Sequence, residues 1–412
     1  MIAKQSTVIT WLLVSYVLCL PIQFQTGIGI RFAPSDGCLL FILLLGLGQL
    51  KLRSEAWSSW HFGMVIIFCV ATYVSIIEYG YLSRYAFIQK DIGFLVLIVG
   101  YVVLTTYLDS WSKLRWAMKL FLMSVVLQNV FALGVYASGL ELSWMNVFHP
   151  RVSGMLVDPN AYGGLLVTAF AFHIITYYSE RPLIAGFLGV VSTVTLAAGI
   201  LLTFSRSAWI GMAFVLLVVL VMKPVYFWRI GGVFVTALVF IVAFFGSNFT
   251  SLMVNMASRP EQIQSRIHIL IDSAKMFAES PLFGIGLGVF SEREAVIIHN
   301  TPMWFLTEFG LFGFIIFLFF MAWFAYKAFR TYLLCDCTTK PYMLALLLSH
   351  AAMFGLSMGI EAFYQRHWWF VFALIAATTT VVQKNRAYTG RRVHQQRYVD
   401  PAKANMRPLY NG

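Results

Sequence analysis

The chain has 412 residues, of which 60% are apolar and only 11% charged, with a mean hydropathy of +0.78 and a formal net charge of +12. A water-facing domain carries about a quarter of its residues as Asp, Glu, Lys and Arg, so a soluble globule of this size is excluded and lipid is the main solvent. Runs such as Ala213 to Val221 do not alternate polar and apolar residues, which excludes a transmembrane β-barrel and leaves an all-α bundle.

At the N-terminus Lys4 precedes an apolar run from Val8 to Leu20. No small-x-small cleavage pattern follows and Pro21 leads into further apolar sequence, so the run reads as a retained first helix. A spanning helix needs about 20 mostly apolar residues, and twelve candidates are present: 6–25, 33–50, 61–79, 92–108, 116–137, 161–178, 183–203, 207–222, 230–247, 302–328, 341–359 and 367–383. The organisation expected is a transmembrane helical domain over 1–383, including an outer loop at 247–301, and a basic tail over 384–412. Five cysteines give an odd count, with Cys19, Cys38 and Cys69 in apolar spans and Cys335 and Cys337 in a short loop, so no disulfide framework is expected.

Arg151 stands at the entrance to the sixth span, ahead of Asp158-Pro159-Asn160, which has the chemistry of a helix cap and turn. These three residues read as scaffold and Arg151 as a ligand. Arg206, in Thr203-Phe204-Ser205-Arg206, interrupts a long apolar stretch with almost no room for a loop. A charge within the membrane costs several kcal/mol unless it is paired or faces water, which makes Arg206 a functional candidate; a solvated Arg in a helix–helix turn is the plainer reading.

In the outer loop, Ser258-Arg259-Pro260 reads as a helix start. Ile263, Ile267, Leu270, Ala274 and Phe277 then form one apolar stripe of an amphipathic helix at the membrane surface. Gln264, Ser265, His268, Asp272, Lys275 and Glu279 gather on the opposite face, whereas Arg266 falls beside Ser273 and Phe277 and points toward protein or headgroups. Gly284, Gly286 and Gly288 read as a turn, with a backbone nest for phosphate as the second reading. His299-Asn300 closes the loop, with Glu308 two or three turns into the tenth span. An imidazole at a membrane–water boundary can take up a proton near neutral pH.

The tail carries Lys384, Arg386, Arg391, Arg392, Arg397, Lys403 and Arg407 against Asp400, so the positive-inside rule places it, and with an even span count both termini, in the cytoplasm. Anionic headgroups of the surrounding membrane lipids are a further contact for it. Ten cations are left on the outer side: Arg31, Arg84, Lys90, Arg151, Arg206, Arg259, Arg266, Lys275, Arg293 and Arg366. Topology signalling disfavours cations there, so several of them have another task. No cytoplasmic loop is long enough for a βαβ nucleotide-binding unit, and a donor must reach any outer site through the membrane. Asp36, Asp91 and Asp109 stand isolated with no metal-ligand cluster, and nothing points to nucleic acid.

Three arginines on one face can offer paired hydrogen bonds to a pyrophosphate, and a neutral His beside them can take a proton from an incoming hydroxyl. That combination suits glycosyl transfer from a lipid diphosphate. A transporter or flippase for a lipid-linked or anionic substrate is the alternative, disfavoured because the cations cluster toward one face.

Arg151-x-x-Gly154 with Asp158-Pro159-Asn160, Phe204-Ser205-Arg206-Ser207 with Trp209, Arg266 ahead of Ser280-Pro281 and Gly286, and His299-Asn300 with Glu308-Phe309-Gly310 together resemble the O-antigen ligase and Wzy-type polymerase superfamily of bacterial envelope enzymes. The resemblance implies about a dozen helices, a GT-C-like architecture in the inner membrane, an active site facing the periplasm, and an undecaprenyl-diphosphate-linked glycan donor used without metal or other cofactor. It further implies that Arg206 and Arg266 hold the diphosphate and that His299 acts on the acceptor hydroxyl. Arg151, Arg259, Ser205, Asn300 and Glu308 are the expected substrate-binding residues. The acceptor is a second glycan or lipid A-core; the compact outer loop favours polymerisation of repeat units over ligation.

Overall fold

The computed structural model describes residues 2–25, 31–50, 52–140, 151–222 and 260–404, with scattered residues between 224 and 254. These form helices α1 (Ile2–Cys19), α2 (Pro34–Gly46), α3 (Ser59–Tyr79), α4 (Ile92–Tyr107), α5 (Trp111–Ser138), α6 (Pro159–Tyr177), α7 (Gly186–Leu202) and α8 (Arg206–Met222). After these come α9 (Pro260–Glu279), α10 (Val289–Glu294), α11 (Thr301–Leu334), α12 (Lys340–Ser357) and α13 (Arg366–Ala404). One antiparallel pair of two-residue strands, Phe24–Gln25 with Arg31–Phe32, accompanies the helices.

Every expected span but the ninth coincides with a helix; 230–247 lies largely outside the described residues. Ser59–Tyr79, Tyr85–Tyr107, Trp111–Ser138 and Thr301–Leu334 are long and apolar enough to cross a membrane. Thr7–Cys19, Pro34–Gln49, Gly186–Leu202 and Arg206–Met222 are apolar but shorter, so the helices are less uniform than the sequence suggested. The 17-residue α7 and α8 each rise about 25 Å, a little under the ~30 Å hydrocarbon core. α13 runs unbroken past residue 383, and the basic tail begins as its helical extension to Ala404.

The bundle is centred on α6, which packs against α5, α7, α8 and α12 and is buried on almost every side, as a helix apolar all round must be. Its start is written locally: Asp158 accepts the Asn160 N–H at 2.8 Å and Pro159 occupies the first turn. Gly163 lets α8 approach, since a Cβ there would lie 2.7 Å from that of Ala208.

The long α11 is kinked at Gly310, whose φ of 68° and ψ of −169° are non-helical. The segment after α9 fills the break. Leu311 and Phe312 donate to the carbonyls of Pro281 and Leu282 at 2.9 and 3.3 Å, and Ile285 and Gly286 donate to those of Thr307 and Glu308 at 3.0 and 3.2 Å. The glycine-rich loop is therefore a plug for a broken helix. Two of the N–H groups a phosphate nest would have used are already taken, Gly286 by a helix carbonyl and Gly288 by the Glu308 carboxylate at 2.8 Å.

Candidate active site at one end of the bundle

The loops before α6, between α7 and α8, before α11 and between α12 and α13 lie at the same end of the helices. The α7–α8 turn is built from its own motif. Thr203 Oγ1 donates to the Ile200 carbonyl at 2.7 Å and accepts the Ser205 N–H at 3.2 Å, while the Trp209 indole N–H reaches the Ile200 and Leu201 carbonyls. Phe204 adopts a left-handed φ of 47°, a conformation that costs a non-glycine residue about 1–2 kcal/mol and that turns the chain so that Arg206 opens α8. Ser205 is buried against Gly163.

Arg206 itself is exposed. The expectation of a cation buried at membrane depth is corrected: the three-residue turn Thr203 to Ser205 is enough to bring it to the end of the bundle. Arg151 buttresses the turn, its Nε donating to the Thr203 carbonyl at 2.8 Å and its Nη2 to Asn160 Oδ1 at 2.7 Å, with Val152 N–H on the Leu202 carbonyl at 3.0 Å. Arg151 thus joins Asp158 and Asn160 in the scaffold that fixes Arg206.

α9 packs on α11, where the Thr307 hydroxyl donates to the Ser273 carbonyl at 3.3 Å; Ser273 and Met276 of α9 are buried and Arg266 and Ile269 partly so. The expected stripe is turned away: Ile263, Ile267 and Leu270 are 38%, 51% and 38% exposed. An apolar row facing outward is what a helix at a lipid surface presents, while Arg266 lies on the protein side as expected. Burial pushes its guanidinium pKa below the ordinary value, the Arg206 charge pushes it further, and Asp158 opposes both. Two cations and the cap of α6 therefore share one electrostatic neighbourhood.

His299 is half-buried and lines a cleft of about 60 Å³ with Arg266, Asn300, Met358 and Gly359. The cleft adjoins the start of α8, since a Cβ on Gly359 would press on the Ser207 hydroxyl. Asn300 caps α11, accepting the Met303 N–H at 2.9 Å, and its amide donates to the Met358 carbonyl at 2.9 Å; it positions His299. Glu308 is 1% exposed and accepts N–H groups of Gly288 and the Trp304 indole at 2.8 and 2.7 Å, which ties the glycine loop to the kink. Both were expected to bind substrate, and the contacts give them positioning tasks. Arg259 lies outside the described residues, as does the side chain of Arg31.

The structure sorts the outer cations. Lys90 pairs with Glu361, Lys275 with Asp272 at 2.8 Å, Arg293 with Glu78 and Glu279 at 2.6 and 2.7 Å, and Arg366 with Asp36 at 2.5 Å. Arg151 is held by the turn. Among the described residues no ion pair engages Arg84, Arg206 or Arg266, and Arg84 is exposed at the start of the helical turn Tyr85–Asp91. Arg206 and Arg266 are thus cations within electrostatic reach of each other, without an ion-pair partner among the described residues, and Arg266 shares a cleft with the His299 imidazole.

Residues 191–318 match the O-antigen ligase family model. The match agrees with the resemblance carried by the motifs and takes in Arg206, Arg266, His299, Asn300 and Glu308, while Arg151 falls before it. No curated protein matches the chain. The apolar helices are those of a membrane-embedded protein, and over residues 191–318 the chain is similar to the O-antigen ligase family.

Two pairs escaped the sequence reading. Asp36, which looked isolated, receives both Nε and Nη2 of Arg366, at 2.8 and 2.5 Å, across 330 residues. Lys90 meets Glu361 across 271 residues. No spacing rule could find either; the one signal was a surplus of charge at span ends.

Proposed function

We propose that the protein transfers a glycan from undecaprenyl diphosphate to a hydroxyl group at the periplasmic face of the inner membrane, with both termini in the cytoplasm, and that its product is a polymer of repeat units. The supporting observation is that Arg206 and Arg266 act on each other electrostatically without an ion-pair partner among the described residues, and that Arg266 lines a cleft with His299. Like charges held together are costly unless an anion joins them, and a pyrophosphate offers oxygens to both guanidinium planes. The basic side chains Arg53, Lys113, Arg115, Arg181, Lys327 and Lys340 lie at the opposite end of the helices, which fits the assigned orientation.

In the reaction the acceptor oxygen forms a bond to the anomeric carbon of the donor sugar. The bond from that carbon to the phosphate oxygen breaks, and the electron pair leaves with undecaprenyl diphosphate. His299 takes the hydroxyl proton. Arg206 and Arg266 stabilise the charge that grows on the leaving diphosphate. The outward apolar row of α9 lets the polyprenyl chain remain in lipid while its headgroup reaches Arg266.

Incubating the purified protein with a lipid-linked repeat unit, with and without lipid A-core, tests the assignment. The expected product is a ladder formed without lipid A-core. A single transfer that needs lipid A-core would assign ligation instead. Movement of the intact lipid-linked unit across vesicles with no new glycosidic bond would overturn the enzymatic reading.

A further inference from the structure

A second cavity, of about 290 Å³, also borders His299, between the π-helical turn Tyr85–Asp91, the start of α6 and the α12–α13 loop. His299 lines both this cavity and the Arg266 cleft, and Asp158, which acts on Arg266, lines the cavity too. The two spaces differ in charge. In the cavity Lys90 is paired with Glu361 and Arg366 with Asp36, and Asp158 adds a third carboxylate against the two cations. A phosphate entering there would meet a net negative wall. The cations are committed, in contrast to Arg206 and Arg266.

What the cavity does offer is polarity of both signs and flat apolar faces. Paired carboxylates keep lone pairs and paired cations keep spare N–H groups, so each ion pair can both donate to and accept from hydroxyls. Lys90 Nζ lies 5.5 and 5.0 Å from the ring centroids of Tyr85 and Tyr364, which places both rings in the wall beside the Lys90–Glu361 pair. The Lys90–Glu361 pair is nearly buried and the Arg366–Asp36 pair partly so; ion pairs drawn out of water add little net stability over apolar packing, so two of them in one wall are better accounted for by a polar occupant than by cohesion. A volume near the lower end of ligand pockets, roughly 300 Å³, admits a sugar unit and not a long chain.

Resting on the donor assignment above, the geometry points to this cavity as the subsite for an uncharged sugar of the acceptor glycan, which delivers its hydroxyl to His299 from the side opposite the diphosphate. Filling the cavity then blocks the acceptor and spares the donor headgroup.

Gln89→Trp, on the π-helical turn, and Ala161→Leu, in the first turn of α6, fill it from two different elements. Two probes are bound to the full-length protein in nanodiscs: undecaprenyl diphosphate, and the free oligosaccharide repeat unit cut from the producing cell's own envelope polysaccharide. Both variants should weaken oligosaccharide binding by about tenfold or more with undecaprenyl diphosphate affinity unchanged, and Arg266→Ala should do the reverse. Unchanged oligosaccharide affinity in either variant that still binds undecaprenyl diphosphate overturns the subsite, as does an unmodified protein that binds undecaprenyl diphosphate but no oligosaccharide. Oligosaccharide binding that the fillers abolish, in a protein that never binds undecaprenyl diphosphate, removes the donor assignment and leaves the sugar cavity standing.

Discussion

Arg266→Ala lowers kcat/KM for glycan transfer by about 10²–10³-fold, the cost of removing one preorganised donor from a developing oxyanion, while the protein keeps its thermal midpoint. The stability is retained because Arg266 makes no ion pair among the described residues, and its removal relieves burial and Arg206 repulsion. Arg206→Ala follows the same direction with a smaller loss, since Arg206 is exposed and better screened. The double variant loses less than the product of the two single losses, because both groups serve one anion. Arg266→Lys recovers only part of the activity, an ammonium being unable to present two parallel N–H groups. Steady-state kinetics with a lipid-linked repeat unit measures all four, and transfer at the unmodified rate in both alanine variants would remove the arginines from the mechanism.

Gly310→Ala acts in the opposite way, on the fold before the chemistry. Gly310 combines a φ of 68° with a ψ of −169°, and a Cβ there would collide with the backbone of Gly284 and Leu282. The backbone conformation alone costs about 1–3 kcal/mol for a residue with a side chain, and overpacking adds about 1–3 kcal/mol. The thermal midpoint in detergent should fall by many degrees, with transfer activity lost in step with folded protein. Glu308→Gln should be milder, since an amide oxygen can still accept from Gly288 or the Trp304 indole. A Gly310→Ala protein with an unchanged midpoint would mean that the 281–288 plug does not depend on the kink.

Much of this was legible in the sequence, for reasons that differ by element. The helices were legible because lipid demands apolar runs, and the start of α6 because Asp158-Pro159 carries both a cap and a first-turn proline. The placement of Arg266 beside Ser273 followed from the 100° turn per residue. The outward facing of Ile263, Ile267 and Leu270 agrees with their reading as a stripe at the membrane surface. Arg151 looked like a ligand because the carbonyl it holds, on Thr203, is 52 residues away. Arg206 looked buried because nothing local reveals that Phe204 adopts a left-handed turn. The Asp36–Arg366 and Lys90–Glu361 pairs depend on contacts between opposite ends of the chain, which only the assembled bundle creates.

In the proposed reaction Arg206 and Arg266 close on one diphosphate within reach of His299. An experimental structure of the full-length protein with undecaprenyl diphosphate in nanodiscs tests it most directly. The expected result is phosphate oxygens within hydrogen-bond distance of both guanidinium groups, the polyprenyl chain running out along Ile263 and Ile267, and the His299 ring at the far side of the headgroup. A diphosphate bound away from these two arginines, or held by one of them with the other turned to solvent, would contradict it.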